Sequence, residues 1–142
     1  EISEVEVKEA QEGDILKNGA VYIAPGGKHM RVVKKGTDYC IKLSDEPAID
    51  GLRPCANVMY ESLENCQYDE ITCVVLTGMG ADGTKGIQGL AAHHKKLHVI
   101  AQDADTCVVY GMPKAIAQTG LVDEVVPLGS VAETITKNVG VS

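Results

Sequence analysis

Asp82 is the only acidic residue in a glycine-rich turn that reads Leu76-Thr77-Gly78-Met79-Gly80-Ala81-Asp82-Gly83. An apolar run, Ile71 to Leu76, leads into the turn, and a helix-like stretch follows it. A carboxylate at that point can hold a histidine in one tautomer and stabilise the imidazolium that forms, as in a Ser-His-Asp triad. The positive end of the following helix would keep it ionised. Backbone N–H groups of the turn could meet a developing oxyanion. A second chemistry competes. Gly78, Gly80 and Gly83 spell G-x-G-x-x-G, and Asp103 follows 20 residues later, as in a dinucleotide cradle. Asp82 opposes that reading, because two like charges at ~4 Å repel by ~4 kcal/mol at an effective dielectric of ~20. The plainest role for Asp82 is to cap the helix that follows.

The remaining reactive residue types give less. The five cysteines, Cys40, Cys55, Cys66, Cys73 and Cys107, are odd in number and contain no C-x-x-C pair. Reduced thiols are expected, with no disulfide framework, no metal site and no cofactor. Cys73, inside the apolar run, reads as a small packing residue. Ser3, Ser44, Ser62, Ser130 and Ser142 lack the strand–turn–helix setting of a nucleophile. His93, His94 and His98 read as surface or packing residues. A net charge of −7 argues against nucleic acid as a partner. No apolar run reaches the ~18–20 residues of a membrane span.

These residues need elements to position them. Length and composition, 142 residues and 44% hydrophobic, fit one domain with an aliphatic core, since Trp and Phe are absent. Short strands are expected at 5–10 and 20–24, and a hairpin at 30–43 around Lys35-Gly36-Thr37-Asp38. A polar loop covers 44–53. Pro54 is expected to open a helix over 54–66. From 71 onward the pattern alternates strand, helix, strand, helix, strand, helix at 71–77, 83–94, 97–101, 112–119, 123–126 and 129–138. This predicts an α/β fold whose sheet is mainly parallel, with an added β-hairpin.

Several stretches, taken in order, are similar to the catalytic domain of the chemotaxis receptor methylesterases of the CheB type. They are Val7-Lys8-Glu9-Ala10, the run Val21 to Met30 that contains Pro25-Gly26-Gly27-Lys28-His29, Arg53-Pro54, the turn from Val75 to Gly83, Ile100-Ala101-Gln102-Asp103, and Cys107 to Ala115. The resemblance implies a doubly wound α/β fold and an enzyme that hydrolyses methyl esters of receptor glutamates and deamidates receptor glutamines. It makes Asp82 the triad aspartate and gives the backbone N–H of Met79 to the oxyanion. Gly78, Gly80 and Gly83 shape the turn, while His29, a loop residue, lies near the site with Cys107 and Met112. The partners it implies are methyl-accepting chemoreceptors and a receiver domain of the same full-length protein, in the cytoplasm.

The chain departs from that pattern in one respect. The family's serine lies in a G-x-S-T-G-G turn and its histidine in a Q-H-M-P segment, and neither sequence occurs here. Residues 1–142 are therefore expected to be one partial catalytic domain, incomplete at the N-terminal side. The receiver domain and two βα units, roughly 60 residues at ~30 each, would lie outside it. Sheet strands without neighbours imply that the chain pairs with a second copy of itself. Alone, it is expected to be inactive.

Overall fold

Residues 5–139 are described in a computed structural model of the chain. Two compact units divide it, Glu1–Cys66 and Gln67–Ser142. The mixed α/β architecture, with parallel strands and one antiparallel hairpin, agrees with expectation.

In the first unit, β1 (Glu6–Glu9) and β2 (Ala20–Ile23) form a parallel pair in which Val7 lies opposite Val21 and Lys8 opposite Tyr22. Opposed residues share a face, so Val7, Val21 and Ile23 lie on one side together with Glu9, and the three apolar residues are exposed. On the other side Lys8 pairs with Asp14 at 3.0 Å, and the Tyr22 hydroxyl donates to the Ile15 carbonyl. The hairpin joins β3 (His29–Lys35) to β4 (Asp38–Ser44) through Gly36-Thr37. Gly36 has φ 64°, a left-handed conformation that glycine adopts without a Cβ penalty. The opposed pair Val32 and Ile41 is buried.

Helix α1 (Ala56–Ser62) packs on β3 and buries Val58. The Ser62 hydroxyl accepts the Val32 amide and donates to the Met59 carbonyl. This helix is shorter than the 54–66 expected. Pro54 stands outside it, because Cys55 is the N-cap and is extended. At the other end the bonds of Leu63 to Tyr60, Glu64 to Glu61 and Cys66 to Leu63 span three residues rather than four. The apolar stripe thus continues through tight turns after the α-helix has stopped.

In the second unit, β5 (Ile71–Val75), β6 (Leu97–Gln102) and β7 (Glu124–Val126) form a parallel sheet in the order β5-β6-β7. Connecting them are α2 (Thr84–His93) and α3 (Met112–Ala117), and α4 (Val131–Val139) follows a short 3-10 turn at Leu128–Ser130. The central strand β6 is buried on both faces, since the successive residues Val99, Ile100, Ala101 and Gln102 are all buried. The core is completed by Ile87 and Leu90 of α2 and Ile116 of α3. Strand β5, expected to share the two-sided burial, buries only Cys73 and Val75, because it lies at the edge of this sheet. Among the described residues no helix is long and apolar enough to cross a membrane.

Glu124 ties β7 to two other elements. Its Oε2 meets His98 Nε2 of β6 at 2.7 Å and accepts the Asn138 amide of α4 at 2.9 Å. The His98 bond, then the Asn138 bond, holds the Glu124 carboxyl below the usual glutamate range. A lowered pKa stabilises the fold above the unfolded value, and the contribution is lost as pH falls through the folded value. The melting temperature of Glu124→Gln should therefore lie below that of the native chain near neutral pH. The gap should close as pH drops below about 4.3. Thermal melts at stepped pH check this; a gap that persists in acid would contradict it.

Candidate active site

Two loops meet at the carboxyl ends of β5 and β6, where ligands bind in open α/β sheets. The first carries Leu76 to Gly83 from β5 to α2, and the second carries Asp103 to Gly111 from β6 to α3. They are joined through backbone. Gly78 forms a parallel bridge with Tyr110. The Gly78 amide donates to the Val109 carbonyl at 3.1 Å, and the Gly78 carbonyl accepts the amides of Gly111 at 3.1 Å and Met112 at 2.8 Å. The Thr77 hydroxyl donates to the Val109 carbonyl and accepts the Val109 amide, at 3.0 and 2.8 Å.

This contact explains the glycines one at a time. A Cβ on Gly111 would sit 2.6 Å from the Gly78 carbonyl oxygen and 3.0 Å from the Gly80 nitrogen, both backbone atoms. At Gly78 a Cβ would meet the Met112 sulfur at 2.5 Å, the flexible end of a side chain. Gly80 and Gly83 are required for another reason, since their φ angles are 84° and 97°. The three glycines of the G-x-G-x-x-G pattern thus meet two different demands, close approach and left-handed backbone. Gly111, outside the pattern, is confined by backbone atoms alone.

Asp82 is half-buried in the last turn before α2. The N-cap of that helix is Gly83, so Asp82 stands one residue outside the capping position. Met79 is 83% exposed at the tip of the same turn, and Val108 is 91% exposed on the second loop. Cys107 is half-buried in the second loop, and its amide donates to the Ala104 carbonyl. Met112 opens α3 and lies against Gly78. One end of the sheet therefore gathers Asp82, Met79, Gly78, Gly80, Gly83, Cys107 and Met112.

His29 belongs to the first unit and corrects an expectation. It is not a loop residue, because it opens β3 and is 1% exposed. Its Nε2 lies 2.9 Å from the Pro47 carbonyl, which can only accept, so Nε2 carries the hydrogen. Cys73 is likewise a core residue, and burial pushes its thiol pKa up to about 12.

Gln102, in the stretch Ile100-Ala101-Gln102-Asp103, is not among the expected site residues, yet it is 1% exposed at the mouth of the site. Its signal in the sequence is faint: a polar side chain that ends an apolar strand, followed by Asp103.

The profile of the CheB methylesterase family matches residues 1–135. A protein-glutamate methylesterase/protein-glutamine glutaminase of Desulfotalea psychrophila is 44% identical over 138 residues, 96% of this chain and 37% of that protein. The protein of the same name from Oceanobacillus iheyensis is 44% identical over 137 residues, 96% of this chain and 39% of that protein. The chain thus spans under half the length of these curated relatives. The crystal structure of the Thermotoga maritima CheB methylesterase catalytic domain is similar at a TM-score of 0.85 and 35% identity, covering 92% of this chain and 68% of that one. With nearly the whole chain matched and the fold shared with a solved relative, the chain belongs to the CheB methylesterase family.

Proposed function

We propose that the chain forms part of a protein-glutamate methylesterase that also deamidates glutamine, acting on methylated chemoreceptors in the cytoplasm. The observation that carries the reading is Asp82, half-buried in a backbone-locked turn at the carboxyl end of a parallel sheet. A triad aspartate needs such a place, because it works by holding a histidine in one orientation. The residues that complete the triad lie outside the 142 residues, together with a receiver domain that regulates the esterase. Without them the chain is inactive and pairs with a second copy of itself.

In the complete enzyme the chemistry runs in two steps. A serine oxygen attacks the glutamyl ester carbonyl while a histidine removes the serine proton. The tetrahedral oxyanion collapses, and the histidine returns the proton to the departing methanol. Water then repeats the sequence on the acyl-enzyme and frees the glutamate. Asp82 orients the histidine and stabilises its charge throughout. The Met79 backbone N–H, on the exposed tip of the turn, serves the oxyanion.

Methanol release from a methylated chemoreceptor tests this. Asp82→Ala in the complete enzyme should lower kcat by about 10³–10⁴-fold with little change in KM, and residues 1–142 alone should release none. Unchanged kcat in the Asp82 variant would defeat the assignment.

The glycine contacts give a second expectation. Gly111→Ala, whose methyl meets backbone, should lose more activity and more thermal stability than Gly78→Ala, whose methyl meets the movable Met112 thioether. Equal losses would contradict a backbone-limited contact.

A further inference from the structure

We propose that Gln102 is a positioning residue for the reaction, acting as a buried amide clip that fixes the Asp82 turn against the second loop. The side chain is 1% exposed at the end of the central strand β6. Its Oε1 accepts the Thr77 amide at 2.7 Å, the backbone group immediately before Gly78. Its Nε2 donates to the Thr106 carbonyl at 2.9 Å and to the Thr106 hydroxyl oxygen at 3.2 Å. One amide therefore holds both loops.

The chemistry of the partners fixes which way the amide points. A backbone N–H can only donate, so Thr77 must face the oxygen. A backbone carbonyl can only accept, so Thr106 must face the nitrogen. The Thr106 hydroxyl agrees: its one hydrogen goes to Asp103 Oδ1 at 2.6 Å, which leaves its oxygen to accept from Gln102 and from the Leu128 amide. Apart from a protonated glutamate, no other side chain of this length offers an acceptor and a donor on one terminal group. A carboxylate would satisfy Thr77 and set an oxygen against the Thr106 carbonyl. An apolar chain would leave the Thr77 amide and the Thr106 carbonyl without these partners.

The consequence reaches the site through Thr77. The Gln102 bond holds the Thr77 amide, the Thr77 hydroxyl is bonded twice to Val109, and Gly78 begins the contact that sets the turn. Freeing Thr77 loosens the turn that carries Met79 and Asp82 without touching either residue. The catalytic half of this inference rests on the esterase reading; the structural half does not.

The test uses Gln102→Met, which matches the side chain in length without a hydrogen-bonding amide, and Gln102→Glu. Amide hydrogen exchange at Thr77, Gly78 and Val109 is compared with the native chain at each pH. Both variants should exchange at least about tenfold faster at those amides near about pH 8, while the amide of Ile100 stays protected. In Gln102→Glu alone, protection should return as pH falls toward about 5. Burial raises the new carboxyl's pKa, and once protonated it accepts from Thr77 and donates to Thr106 as the amide does. A packing role would not give that selective return. In the complete enzyme, Gln102→Met should lower kcat about tenfold and leave KM within about twofold.

Native protection in both variants, or no acid recovery in Gln102→Glu, would overturn the clip. Faster exchange with unchanged kcat would overturn the positioning role. If the unsubstituted complete enzyme releases no methanol, the esterase reading fails, and the exchange result still decides the clip.

Discussion

Two backbones meet at Gly78 and Gly111, and the site depends on how closely they approach. The loops leaving β5 and β6 are bonded through main-chain groups, with Gly111 almost against the Gly78 carbonyl. Main-chain contacts offer no rotamers through which strain can relax, so the distance between the loops is set rather than adjustable. That distance fixes where the turn of Asp82 leaves the sheet, and it fixes the start of α3 through the Met112 amide. A triad aspartate, the role proposed for Asp82, needs this constancy, because a misplacement of ~1 Å can cost ~10²-fold in rate.

The sheet beneath the loops supplies rigidity of another kind. Without Phe or Trp, the core is built from branched aliphatic residues on β6 and the helices around it, chiefly Ile87, Leu90, Val99, Ile100 and Ile116. Such residues have few rotamers and pack densely. Polar ties then close the rim, with Gln102 at the carboxyl end of β6 and Glu124 bridging His98 and Asn138 across β6, β7 and α4. Apolar packing fixes the strands, and directional bonds fix the segments that leave them.

Much of this could be read from the residues. The hairpin at 29–44 was legible because alternation and a glycine turn are both local signals. The alternating strands and helices of the second unit were legible because their apolar periodicities differ. What escaped was non-local. The end of α1 depends on three-residue bonds that leave the apolar stripe unchanged, so the pattern ran past it. Gly78 and Gly111 lie 33 residues apart, and nothing in either neighbourhood announces the other. Gln102 resembles any polar strand end until Thr77 and Thr106 stand on either side of it. His29, in a glycine-rich stretch that suggested a loop, is instead buried at the start of β3.

The distribution of sulfur has a practical consequence. Four of the five thiols, Cys40, Cys55, Cys66 and Cys73, are buried, and Cys107 alone is half-exposed, in the second loop of the site. Buried thiols react slowly, and those of Cys66 and Cys73 are further suppressed because burial disfavours their thiolates. A thiol-directed fluorophore would therefore mark Cys107 in the native chain without any engineered cysteine. The protein carries a built-in optical handle on the loop that meets the Asp82 turn.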